Sequence, residues 1–152
     1  MSEIVLKEQL LDFCKGFVNE RKGRIESQIK EVHEALGSET KSSAGDKHET
    51  GRAMLQLERE KLGTQLAEVE KMAKIINKVD ITTKKDSASL GSLVCTDSSN
   101  YFLAISAGEY KSTEKRTYCI SMNTPIGIIL LGKKVDDVID FNGNQIKILQ
   151  VL

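Results

Sequence analysis

The chain has 152 residues, 39% of them hydrophobic and 29% charged, with a formal net charge of zero; that length suits one compact domain or two small ones. Fourteen residues of each sign precede Asp80 and eight of each run from Asp80 onward, so neither half carries the basic footprint of generic phosphate-backbone binding. The nearest approach, Lys15/Arg21/Lys22/Arg24, reads as a solvated helix face.

From Glu3 to Leu36 the apolar residues follow helical spacing. Leu11, Val18, Ile25 and Val32 recur every seventh position, with Cys14, Arg21, Gln28 and Ala35 in the second seam position. The seam is weak at Arg21 and Gln28, and Gly16 and Gly23 lower helix propensity. The Gly/Ser/Thr-rich stretch 37–45 breaks the pattern, either as a loop or as a continuation of the first helix that frays. A second heptad segment runs from Glu49 to Val79 on Leu55, Leu62, Val69 and Ile76, with Leu66 and Ala73 alternating. Two seams of equal length either side of a break predict an antiparallel coiled-coil hairpin over 1–79, each helix roughly 45–50 Å long at 1.5 Å per residue.

Residues 80–89 read as a linker. Leu90–Thr96, Asn100–Ser106 and Thr117–Met122 then read as strands, and Pro125–Leu131 as a short helical turn ending at Gly132. Asp137–Phe141 and Gln145–Val151 flank Asn142-Gly143, a hairpin signal because both residues tolerate positive φ. The region 90–152 is thus a small, mostly antiparallel β domain, and the fold class is α+β.

No signal-peptide pattern opens the sequence and no apolar run is long enough to span a bilayer; Ile126–Leu131 is short and contains Gly127. Cys14, Cys95 and Cys119 are odd in number and scattered, so neither a disulfide framework nor a zinc site is indicated. Core packing and a reducing, cytoplasmic setting are the expectation.

Chemistry concentrates at Gly45-Asp46-Lys47-His48-Glu49. Asp46 and Glu49 are one helical turn apart and share a face if the second helix starts here. They either form a capping box, Asp46 accepting a backbone N–H and Glu49 reaching back, or offer oxygen ligands to a divalent cation such as Mg²⁺ that another molecule must help hold. The two roles are compatible, since a carboxylate has more acceptor sites than a cap uses. His48 and His33 read as solvated, and with no other histidine a Ser-His-Asp or Cys-His apparatus has little to draw on. The chain is not expected to be an enzyme by itself.

Two stretches resemble the bacterial Gre-type transcript-cleavage factors, which bind RNA polymerase. Gly45-Asp46-Lys47-His48-Glu49 matches the family's Gly-Asp-x-x-Glu tip between two long helices. Ile120-Ser121-Met122-Asn123-Thr124-Pro125-Ile126-Gly127, running on to Leu131-Gly132-Lys133, looks like the family's Ile-Ser-x-Asn-Ser-Pro-Ile-Ala/Gly segment with its spacing intact. Domain order and length agree over essentially the whole chain.

The resemblance implies that 90–152 is an FK506-binding-protein-like domain that docks on the rim of the polymerase secondary channel. The hairpin would then enter the channel, reaching the nascent RNA 3′ end only indirectly, with no membrane partner and no strong independent nucleic-acid binding. By position, Asp46 and Glu49 would help hold a catalytic Mg²⁺ shared with the polymerase, assisting hydrolysis of backtracked RNA. Asn123, Thr124, Pro125, Ile126, Gly127, Leu131 and Gly132 would form or support the docking surface, their apolar members serving equally well as domain core.

Where the family has Asn-x-Glu/Asp-Tyr after the second acid, this chain has Thr50-Gly51-Arg52-Ala53. That exchange of an acid for Arg52 keeps open a channel binder that acts by occupancy without cleavage. A helical-hairpin interaction module is the reading from a different class. Prolyl isomerisation is disfavoured because the chain has no tryptophan and few aromatics, and fold does not confer function.

Overall fold

A computed structural model describes residues 3–40, 45–111 and 114–152, the side chains of 39–40 and 45–48 excepted. The elements are α1 (Glu3–Thr40), α2 (Gly45–Lys78), β1 (Leu93–Thr96), β2 (Asn100–Ala104), β3 (Gly108–Tyr110), β4 (Thr117–Ser121), α3 (Pro125–Leu130), β5 (Val138–Phe141) and β6 (Asn144–Val151). The fold class is α+β: two long helices followed by a six-stranded sheet. Contacts group the chain into two units, Val18–Ala73 and the remainder, so that the first part of α1 and the last turns of α2 belong with the sheet.

In the helical unit, α1 buries Val18, Ile25 and Val32 and α2 buries Leu62 and Val69. Within this unit each helix offers the other a surface on which to bury that stripe, and four residues separate Thr40 from Gly45, so the pair is an antiparallel hairpin. Arg21 and Gln28 are exposed, as the weak seam implies. Burial of an aliphatic side chain contributes roughly 1.5–3 kcal/mol, which outweighs the ~1 kcal/mol cost of a helix-interior glycine. The helix therefore runs unbroken through Gly16 and Gly23, and α1 continues past Leu36 to Thr40.

The sheet unit has strand order β3-β4-β2-β1-β6-β5. Every neighbouring pair is antiparallel except β2 and β4, which run parallel with Asn100 opposite Thr117 and Ala104 opposite Ser121. β3 is a short strand beyond the sequence expectation, and β4 inserts between it and β2. The Asn142-Gly143 turn forms with φ of 53° and 80°, as those residue types demand.

One face of the sheet packs with α3 around Val94, Leu103, Ile126, Leu130, Ile139, Ile146 and Ile148. Across the other face lies the beginning of α1. Lys7 Nζ donates to the Leu152 carbonyl at 3.0 Å, the Tyr110 hydroxyl donates to Gln9 Oε1 at 3.4 Å, and Phe13 meets Tyr110 edge-on with centroids 5.4 Å apart. Buried Lys7, Leu10 and Cys14 make one stripe at helical spacing. The seam of α1 thus turns from facing a helix to facing a sheet, which is why Leu10, off the heptad, is buried while Leu11 is only half-buried.

After α2, the Asp80 carboxylate accepts from Thr82 N at 2.9 Å, Thr82 Oγ1 at 2.7 Å and Thr83 Oγ1 at 2.7 Å. A side chain that bonds its own following backbone offers the chain an alternative to helix. Gly91, at φ +88°, then passes so close to the Asp80 carbonyl that a β-carbon there would lie 2.8 Å from it.

Candidate functional site

The segment from Ser121 to Gly132 is a hydrogen-bonded turn that launches α3. Thr124 is its N-cap, extended at φ −73° and ψ 158°, and its Oγ1 accepts from Gly127 N at 3.1 Å. The same hydroxyl donates to the Ser121 carbonyl at 2.7 Å, and Asn123 N donates to Ser121 Oγ at 3.2 Å. Pro125 occupies the first helical position, where its missing N–H costs nothing. After Leu131, Gly132 adopts φ +82° and its N–H donates to the Ala88 carbonyl at 2.7 Å, while Ala88 N donates to the Lys133 carbonyl at 2.8 Å. Both ends of α3 are thereby fixed to the domain.

The seven residues singled out in this segment divide by burial. Ile126 (9% exposed) and Gly127 lie in the core, and Thr124 is half-buried as the cap. Asn123, Pro125, Leu131 and Gly132 are exposed. Sequence reasoning left out Ile128, which is 63% exposed on the outer side of α3 and joins Leu131 (46%) and Val138 (57%) as large apolar residues facing solvent. The signal was present in the run Ile128-Ile129-Leu130-Leu131, which is too continuous for a six-residue helix to bury on one face.

Beside the inner face of α3 opens a hollow of about 490 Å³ lined by Tyr101, Tyr118, Ile120, Ile126 and Phe141, with Ser99 and Ser106 at its edge. Tyr101 and Tyr118 are register partners on β2 and β4 and stack at 6.1 Å between centroids with a 26° interplanar angle. Burial, and then the neighbouring Tyr118, push the Tyr101 hydroxyl pKa up. Among the described residues no charged side chain lines the hollow, so it suits an uncharged apolar group. Three of the chain's seven aromatics, Tyr101, Tyr118 and Phe141, line it.

At the start of α2, the backbone of Asp46 lies in the first turn, while its side chain, with those of Lys47 and His48, is outside the described residues. Glu49 is exposed and Arg52, one turn further on, is half-buried. Among the described residues Arg52 Nη1 is buried without a hydrogen-bond partner, and no cluster of three or more His, Cys, Asp or Glu side chains could hold a metal ion. Two carboxylates one turn apart suit a hard cation only as part of a coordination sphere completed from elsewhere. No helix among the described residues is long and apolar enough to cross a membrane.

No family model matches the chain, and no curated protein matches it. Among solved structures it is similar to one described as the structure of the transcription factor Gfh1, at 18% identity over 86% of this chain and 92% of that chain, with a TM-score of 0.34.

Proposed function

We propose that the chain is an accessory factor of Gre type that binds RNA polymerase at its secondary channel. The observation that carries this reading is the capped turn from Ser121 to Gly132. The residues that resemble the family's Ile-Ser-x-Asn-Ser-Pro-Ile stretch form a capped turn that presents Asn123, Pro125, Ile128 and Leu131 to solvent next to an uncharged apolar hollow. An exposed apolar set on a rigidly held turn is the signature of a protein-interaction surface. A helical hairpin in the same chain, with Asp46 and Glu49 at the start of its second helix, is the arrangement this role requires.

In the first form of the reading, Asp46 and Glu49 contribute carboxylate oxygens to a Mg²⁺ shared with the polymerase, which supplies Lewis-acid activation of water for hydrolysis of backtracked RNA. The chain's residues bind and position, and the polymerase owns the reacting centre. RNA shortening in stalled, backtracked complexes tests this directly. Wild type is expected to shorten the RNA, and Asp46→Asn/Glu49→Gln to bind equally well without doing so; binding by wild type with no shortening rejects the cleavage role.

Arg52 favours a second form, in which the hairpin occupies the channel and regulates without cleavage. Its guanidinium lies one helical turn from Glu49 on the same face, where a positive charge opposes a cation. This form expects altered transcription that survives neutralising both acids. Absence of polymerase subunits from a pull-down on the full chain removes both forms.

A further inference from the structure

Cys14 and Cys119 meet inside the sheet unit. Cys14, on α1, is 0% exposed, and Cys119, in the middle of β4, is 1% exposed. The two thiols hydrogen-bond to each other. Contacts that involve neither sulfur also bring this part of α1 close to β4. Phe13 and Gln9 of α1 both touch Tyr110, and Tyr110 pairs with Thr117 on β4, two residues from Cys119 on the same face. The cross-strand neighbour of Cys119 on β3 is Gly108. Cys95, half-buried in β1, is the remaining thiol.

We propose that Cys14 and Cys119 are a modification site: a dithiol that a small peroxide oxidises to an intramolecular disulfide, fastening the first part of α1 to β4. The Cys14 thiolate attacks one peroxide oxygen; an S–O bond forms, the O–O bond breaks and hydroxide leaves. The Cys119 sulfur then attacks the Cys14 sulfur of that sulfenic acid; the S–S bond forms, the S–O bond breaks, and the Cys119 proton leaves with hydroxide as water. The two thiols lose two electrons, and one hydrogen peroxide becomes two waters.

The order of attack follows from the hydrogen bond. Cys119 donates to the Cys14 sulfur, which holds the Cys14 pKa down, while retention of that proton and burial push Cys119 up. Burial makes both thiols slow to react and limits the oxidant to a small, uncharged one. Once closed, the bond spans most of the chain, and cross-links across long loops constrain the unfolded state most.

The test uses the full chain, treated with hydrogen peroxide and then alkylated under denaturing conditions. The expected species is 2 Da lighter than the reduced protein before alkylation, takes up one alkyl group instead of three, and yields a peptide joining Cys14 to Cys119. Its melting temperature rises, and dithiothreitol reverses both changes. The Cys95→Ser variant, which leaves the buried pair intact, should form the same link and take up no alkyl group. Recovery of all three thiols after prolonged peroxide, links that always contain Cys95, or oxygen adducts at Cys14 without a link to Cys119 would each overturn the proposal.

Discussion

Gly127 sits so close under Ser121 that a β-carbon on it would lie 2.3 Å from the Ser121 carbonyl oxygen and 2.8 Å from Thr124 Oγ1. Backbone on one side and the N-cap hydroxyl on the other cannot both yield. Gly127→Ala is therefore expected to destabilise the sheet unit by about 1–3 kcal/mol, the range for overpacking, read as a lower midpoint in urea denaturation. Thr124→Ala removes the cap without adding bulk and should cost ~1 kcal/mol. The larger loss belongs to the glycine, although Ala is the better helix former.

Exposure separates docking from folding in the same segment. Ile128 and Leu131 face solvent and contribute little to the core, so Ile128→Ser/Leu131→Ser should shift stability by no more than ~1 kcal/mol. Capture of polymerase by the tagged chain is expected to fall by tenfold or more, the usual scale for truncating a central apolar contact. Retained capture would place the docking surface elsewhere.

Gly23 presents the opposite case to Gly127. It is exposed in mid-α1, and nothing lies within 4 Å of where its β-carbon would be. Gly23→Ala is expected to stabilise the helical unit by about 0.5–1 kcal/mol through reduced backbone entropy in the unfolded chain, measured as a raised denaturation midpoint.

Those contrasts mark what a sequence can and cannot disclose. The hairpin was legible because Val18, Ile25 and Val32 on one side and Leu62 and Val69 on the other repeat at the spacing a helix seam requires, a purely local signal. Asn142-Gly143 was legible for the same reason. The parallel pairing of β2 with β4 was not, because it depends on where β4 inserts relative to β3, and three residues of β3 are too few to show alternation. Cys14 could be placed on a seam, but the strand residue opposite it lies far along the chain, and no local pattern encodes that contact. In the segment from Ser121 to Gly132 the sequence marked the turn that launches α3, while the division into buried Ile126 and Gly127 against exposed Ile128 depends on which face α3 turns to the sheet.

Asp80 sets a pH dependence. Hydrogen bonds from Thr82 and Thr83 hold its carboxyl well below the usual carboxylate range. A folded pKa depressed below the unfolded value near ~3.9 means the stabilisation is whole above about pH 4, erodes below it, and is gone once the pH falls beneath the folded value. Asp80→Ala should therefore lower the melting temperature at neutral pH, with the gap from wild type closing only in strong acid. A gap that is constant from neutral to acid would show that the carboxylate charge plays no part in ending α2.

Arg52 discriminates between the two forms of channel binding. It lies one turn from Glu49 and is half-buried. Arg52→Glu replaces a charge that repels a cation with one that attracts it. The variant should shorten backtracked RNA faster, by tenfold or more if the charge is the obstacle, since ~1.4 kcal/mol corresponds to a factor of ten in rate. Adding Glu49→Gln to it should abolish the gain, because the carboxylate that acts with Asp46 would be missing. If Arg52→Glu binds polymerase and shortens nothing, the charge at position 52 is not what withholds cleavage, and regulation by occupancy becomes the better account.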